Sequence, residues 1–225
     1  MKRKAKGLFI TATGTDVGKT YVTGLIIKKL REAGLNCGYY KAAISGADSV
    51  GESDAGYVNR IANIGQTDKM LVPYLYKEAV SPHLAARIEK NPVELSVVKE
   101  GFSKNAQQFD YLTMEGSGGI ICPIRYDARQ KLFLEDFIKE FSLPSVIVAD
   151  AGLGTINAVV LTVEYMKNRS LPIKGIILNN YTGGIMQEDN IRMIEAMTGI
   201  KIAALVKDGD KDLDIEAEAL AAFYE

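Results

Sequence analysis

The chain has little with which to build a metal or redox centre. Among 225 residues it carries two cysteines, Cys37 and Cys122, and one histidine, His83. The cysteines are far apart and lack CxxC spacing, so a disulfide framework, a zinc cluster and a dithiol redox motif are all unsupported, and a reducing cytoplasm is the expected compartment. A lone histidine excludes a histidine-cluster metal site. No run approaches the ~18 apolar residues of a membrane span. The basic opening over residues 1–6 looks like the start of a signal peptide, but the apolar run behind it, Leu8-Phe9-Ile10, ends at Thr11, short of the ~7 to 15 residues such a segment needs. Charge of one sign is lacking too. Lys and Arg number 27 against 28 Asp and Glu, a net charge of -1, which provides no basic field for nucleic acid and no strong pull toward an anionic membrane. An anionic ligand must therefore be held by local geometry.

What is present points to an α/β chain. At about 150 residues per domain, residues 1–225 favour a single domain, and about 70% of the unfolded surface can be buried without a covalent or metal staple. Short apolar runs over 8–12, 111–114, 145–149, 175–178 and 200–206 read as strands buried on both faces, as parallel strands are; a second strand in chain order ends in Tyr39-Tyr40-Lys41. Helical spacing lies between them: Val22, Leu25, Ile26 and Leu30 ending at Gly34, then Ile156, Val159, Val160 and Val163, then residues 212–224. The stretch 45–92, with Gly46, Gly51, Pro73 and Ser81-Pro82, reads as a long irregular excursion. The expected architecture is doubly wound, a mostly parallel sheet with helices on both faces.

The strongest local signal is Gly14-Thr15-Asp16-Val17-Gly18-Lys19-Thr20, placed between an apolar strand and an amphipathic helix, where a phosphate-binding loop belongs. Glycines let backbone N–H groups turn toward phosphates, the helix N-terminus faces them, Lys19 reaches the β and γ oxygens, and the Thr20 hydroxyl can ligate Mg2+. Strict spacing would place a glycine at Thr13, so the motif is one residue off. Two strand-end acids compete as metal partner: Asp150 ends the more familiar apolar run, whereas Glu115 is followed by Gly116-Ser117-Gly118-Gly119, which leaves room for a substrate. Either could instead cap the next helix. Lys41 ends a strand where ligands bind in open α/β sheets, although exposed lysines are common there. Gly152-Leu153-Gly154-Thr155-Ile156-Asn157 opens a helix, with Thr155 as N-cap, and reads either as an anion site or as an ordinary helix start. His83, after Ser81-Pro82, reads as structural more readily than as a base.

Taken in order, these blocks resemble the dethiobiotin synthetase family from residue 9 to about residue 179. The family's phosphate loop is a one-residue-longer relative of the strict motif, which accounts for the spacing at Thr11-Ala12-Thr13-Gly14. The Tyr40-Lys41-Ala42-Ala43-Ile44-Ser45-Gly46 block, Ser53-Asp54-Ala55, Pro73-Tyr74 and Pro123 are similar to further family blocks. The resemblance implies an ATP site of Gly14, Thr15, Asp16, Val17, Gly18, Lys19 and Thr20, with Asn179 at the adenine. It implies Lys19, Lys41, Thr15 and Ser45 at the reacting centre, and Mg2+ on Thr20, Asp54 and Glu115. Substrate would meet Ser45, Glu115, Gly116, Ser117 and Gly118, together with Gly154, Thr155, Ile156 and Asn157 from the second subunit of a homodimer. The implied substrates are 7,8-diaminononanoate, CO2 and ATP. Departures from the family are Ala12 in place of the loop's first glycine, Ala42 in place of a proline, and no proline in Leu205-Val206-Lys207, beside the base pocket. The rival is a partition-type switch ATPase on a similar loop; such proteins carry a further lysine where Ala12 and Thr13 stand here, and a basic amphipathic C-terminal helix.

Overall fold

The computed structural model describes residues 5–225; most of the basic opening, residues 1–4, lies outside the described residues. Six parallel strands form one sheet in the order Ile202–Leu205, Ile173–Asn179, Ser145–Asp150, Lys6–Ala12, Tyr111–Glu115, Cys37–Lys41. Each apolar run is continuous because neighbouring residues serve opposite cores. Phe9, Leu112, Met114 and Ile147 pack on one face, while Leu8, Ile10, Tyr39, Val146 and Val148 pack on the other. Side chains alternate across a strand, and complete burial of each large apolar one contributes roughly 1.5 to 3 kcal/mol. The helix Lys19–Glu32 covers the second face through Val22, Leu25, Ile26 and Leu30, and Thr155–Asn168 covers the first through Val159 and Val163. The doubly wound expectation therefore holds. An antiparallel hairpin, Pro123–Tyr126 with Lys131–Phe133, is the exception to parallel pairing.

Three readings of the sequence need correction. The 45–92 stretch is not irregular: it forms the helices Asp54–Ile61, Asp68–Leu71 and Pro82–Ile88, and its Ile44–Ser45 edge pairs with Leu75–Tyr76. The expected helix over 212–224 shrinks to Ala217–Ala221 and a 3-10 turn at Ala222–Tyr224. Lys29 draws residues 212–213 out of helical geometry, donating to Asp212 Oδ2 at 2.8 Å and to the Leu213 carbonyl at 2.9 Å, and Leu213 is buried against the same helix. Thr155 does not cap its helix. Gly154 occupies the cap at φ 91°, a left-handed conformation that favours glycine, and Thr155 is the first helical residue.

The strand Cys37–Lys41 lies at the sheet edge, where its outer backbone groups would lack partners. Gln66 substitutes for a missing strand. Its Oε1 accepts the Tyr39 N–H at 2.8 Å and its Nε2 donates to the Tyr39 carbonyl at 2.9 Å, while the same Nε2 lies 2.6 Å from Asn105 Oδ1. This clamp sits two residues from Lys41, on the strand that delivers it to the cleft.

Candidate active site

A cleft of about 890 Å3 opens at the C-terminal ends of the central strands, where an open α/β sheet binds its ligands. Its floor is the turn from Gly14 to Thr20. Gly18 sits at φ 81°, a left-handed conformation that favours glycine, and a Cβ there would also displace the Asn179 side-chain amide. A Cβ on Gly14 would meet no protein atom within 4 Å; it would project into open space. The helix Lys19–Glu32 begins with no side chain capping it, which leaves first-turn N–H groups available to an anion.

Glu115 is the centre of the cleft's polar network. Register places it level with Lys41 on one neighbouring strand and with Ile10 on the other. Its Oε1 accepts from Thr20 Oγ1 at 2.8 Å, Lys41 Nζ at 2.8 Å and Lys19 Nζ at 3.1 Å, and its Oε2 accepts from the Tyr39 hydroxyl at 3.2 Å. Lys41 also donates to Asp54 Oδ2 at 2.5 Å. Asp54 reaches it from the first turn of its helix, which can approach the 50–51 turn only because position 56 is glycine: a Cβ there would lie 2.3 Å from the Gly51 carbonyl.

Burial pushes the Glu115 carboxyl up, but Lys19 and Lys41, with the hydrogen bonds from Lys41 and Thr20, outweigh it and hold the group down to about 2. For Lys41, burial works to lower the pKa, and Glu115 and Asp54 together raise it above its ordinary value. Lys19 differs. Burial lowers it by more than Glu115 restores, and the charge of Lys41 opposes it further. Lys19, Lys41 and Glu115 are thus paired out of solvent while Asp54, 46% exposed, balances the charge from the cleft rim; losing one of the buried three is far costlier than losing an exposed partner.

The remaining expected residues divide. Thr15, Asp16, Ser45, Ser117 and Gly118 line the cleft with Lys19, Thr20, Lys41 and Asp54. Ser45 donates to the Val80 carbonyl at 2.6 Å and Ser117 to the Ala43 carbonyl at 3.0 Å, so both hydroxyls brace cleft walls. Gly116 faces the core instead, where a Cβ would come within 3.0 Å of Leu134. Val17 and Asn179 lie behind the loop: Asn179 Nδ2 donates to the Val17 carbonyl at 3.2 Å. Gly154, Thr155, Ile156 and Asn157 are absent from the cleft lining, and Ile156 packs against the core. His83 is likewise off the lining, its Nδ1 3.0 Å from Ser81 Oγ.

Asp150, the rival strand-end acid, is occupied elsewhere. Its Oδ1 accepts the Gly152 N–H at 2.7 Å and its Oδ2 accepts Asn180 Nδ2 at 2.6 Å, so it stabilises the turn after its strand. Asp150→Asn keeps one acceptor of the two; it is expected to cost about 1 to 2 kcal/mol of stability, which a comparison of melting curves checks. Sequence reasoning missed Tyr39 and Cys122 as site neighbours. Tyr39 reads as strand core, although its two-residue spacing from Lys41 puts it on the same face. Cys122 lines the cleft, and burial pushes its thiol up to about 11 despite Lys19 and Lys41.

Comparison with known proteins places this geometry. A family model described as an AAA domain matches residues 6–211. An ATP-dependent dethiobiotin synthetase of Brachyspira hyodysenteriae (strain ATCC 49526 / WA1) is 55% identical over 211 residues, 93% of this chain and 96% of its own length. Another, of Clostridium botulinum (strain Loch Maree / Type A3), is 49% identical over 226 residues, 98% of this chain and 99% of that one. Among solved structures, the MinC:MinD cell division complex of Aquifex aeolicus superposes with a TM-score of 0.58 at 14% identity, covering 98% of this chain and 85% of that one. A ParA family ATPase from Chlorobium tepidum TLS gives 0.54 at 15%, covering 98% and 90%. At such identities the structural likeness speaks for the fold alone. The sequence likeness reaches further, because it spans nearly the whole of both relatives: the chain belongs to the ATP-dependent dethiobiotin synthetase family.

Proposed function

We infer that the chain is an ATP-dependent ligase of biotin biosynthesis that closes the ureido ring of dethiobiotin from 7,8-diaminononanoate and CO2, releasing ADP and phosphate. Family membership supports the reaction, and residues 1–225 act in it as one P-loop domain. The observation that carries the assignment of roles is the convergence of Lys19, Thr20, Lys41 and Asp54 on or beside Glu115 in the phosphate-loop cleft. One amine of the diamine adds to CO2 and loses a proton, giving a carbamate. A carbamate oxygen attacks the γ phosphorus and ADP departs. The second amine then attacks the carbonyl carbon, and phosphate leaves as the ring closes. Catalysis of this kind needs positioning and charge stabilisation rather than a covalent enzyme intermediate.

Backbone N–H groups of Gly14 to Lys19 and the helix N-terminus hold the triphosphate, and Asn179, bonded to the Val17 carbonyl, would meet the adenine. Lys19 exchanges Glu115 for β and γ oxygens. Lys41 leaves its carboxylates to face the charge that gathers where carbamate and phosphate meet, with Thr15 and Ser45 at the cleft edge. The donor set suits Mg2+: the Thr20 hydroxyl, the Glu115 carboxylate to which it is hydrogen-bonded and the Asp54 carboxylate are hard oxygen donors that would hold such an ion. Among the described residues no three His, Cys, Asp or Glu side chains form an ion cage. When bound, Mg2+ neutralises charge on the β and γ oxygens.

Gly154 to Asn157 take their part from a second subunit. Thr155 Oγ1 is buried at that helix start without a hydrogen-bond partner, and the neighbouring Leu153 and Leu161 are largely exposed apolar residues. In a homodimer this N-terminus would receive the diamine's carboxylate beside the partner's phosphate loop. Sedimentation is expected to give about twice 24.5 kDa; a fully active monomer would return the segment to a plain helix start. Two free thiols, Cys37 and Cys122, suit a reducing cytoplasm, and no described helix is long and apolar enough to cross a membrane. Complementation tests the reading: a bacterium lacking its own dethiobiotin synthetase should grow without biotin when given this chain, and failure of the folded, expressed chain to restore growth would contradict it.

A further inference from the structure

We propose that Tyr39 is a positioning residue that makes Glu115 a one-oxygen ligand, its hydroxyl holding Oε2 while Oε1 stays turned toward Lys19, Thr20 and Lys41. The inference rests on the reading of Glu115 as a Mg2+ ligand and adds a residue to it. The donors around Glu115 are divided unevenly: Lys19, Thr20 and Lys41 all meet Oε1, and Tyr39 is the donor at Oε2, 3.2 Å away. The Glu115 side chain is fully enclosed, so solvent does not hold its second oxygen. Tyr39 is itself completely buried. Its backbone is equally fixed, since Gln66 clamps both its N–H and its carbonyl. A carboxylate rotates freely about its last bond unless its far oxygen is held; the Tyr39 hydroxyl supplies that hold from outside the ligand set. Partners of this kind typically change metal affinity by 10- to 100-fold.

The test measures Mn2+ binding to the full chain with ADP, by the electron paramagnetic resonance of free Mn2+, with Ca2+ as competitor. Tyr39→Phe, which removes one oxygen and keeps the ring, is expected to weaken Mn2+ binding about 10-fold or more. It should also improve Ca2+ competition, because a released carboxylate can chelate the larger ion through both oxygens. The melting temperature should fall by only a few degrees. Glu115→Gln should weaken Mn2+ binding as well, and adding Tyr39→Phe to it should bring no further loss, which a general packing role for Tyr39 would not produce. If Tyr39→Phe does not fold, Tyr39→Met fills the same space without a hydroxyl and takes its place. Wild-type affinity in Tyr39→Phe together with weakened binding in Glu115→Gln overturns the role of Tyr39 and leaves Glu115 as ligand. Unchanged binding in both overturns the Glu115 reading itself. An additive loss in the double variant also overturns the proposal, since Tyr39 would then act by another route.

Discussion

Lys41→Ala is expected to lower kcat by about 10²- to 10³-fold, equivalent to ~3 to 4 kcal/mol, while the affinity for MgATP changes less than about tenfold. The asymmetry follows from where the ammonium stands. In the free protein Lys41 is almost fully buried and paired with Glu115 and Asp54, so its charge is already desolvated at the cleft and turns from those carboxylates to the reacting groups when substrate arrives. Only when the carbamate attacks the γ phosphorus does negative charge collect next to it, and an interaction that strengthens in the transition state appears in kcat. Lys41→Gln should recover little, because it retains hydrogen-bonding reach without charge. Rates at saturating substrates, set beside calorimetric titration of a non-hydrolysable ATP analogue, separate the two effects. Equal losses in kcat and in nucleotide affinity would make Lys41 a binding residue.

Glu115→Gln is expected to destabilise the ligand-free protein by about 3 kcal/mol at neutral pH, since it leaves Lys19 and Lys41 buried without their shared counter-charge. The pH dependence has a definite sign. The Glu115 carboxyl is held down to about 2 in the folded chain, below its ordinary value of 4.5. Its stabilisation is therefore fully present above about pH 4.5 and is lost as pH falls toward 2. Denaturant titrations of wild type and variant should show a gap that is constant near neutrality and closes over that acid range. A gap that widens on acidification would contradict the ion-pair account. The protein should remain folded at neutral pH, because a domain of this size ordinarily has 5 to 15 kcal/mol of stability.

What the sequence revealed of this site follows the distance over which each feature is encoded. Lys19 and Thr20 were legible because strand, glycine turn and helix are contiguous, and the six strands were legible because sheet residues buried on both faces read as apolar runs. The choice of Glu115 over Asp150 rests in the sequence on the glycine-rich turn after Glu115, and what the sequence does not carry is the lateral register: Glu115 pairs with both Ile10 and Lys41, whereas Asp150 pairs with Asn179. Register arises from packing between elements far apart in the chain. The misread helix over 212–224 has a similar origin, a tertiary hold by Lys29 that no local propensity encodes. Thr155 was misplaced by one residue because a left-handed Gly154 caps the helix in its stead. Tyr39 was overlooked for the opposite reason: its ring satisfies every expectation of a core strand, and only the hydroxyl at its tip belongs to the site.

The central claim is that phosphoryl transfer in this cleft serves ring closure. Its most direct test is the stoichiometry of purified protein given MgATP, bicarbonate and 7,8-diaminononanoate, with dethiobiotin followed by mass and phosphate release followed in parallel. The account predicts phosphate release that depends on the diamine, with one phosphate for each ring closed. Phosphate appearing at the same rate without the diamine, or phosphate without dethiobiotin, would contradict it.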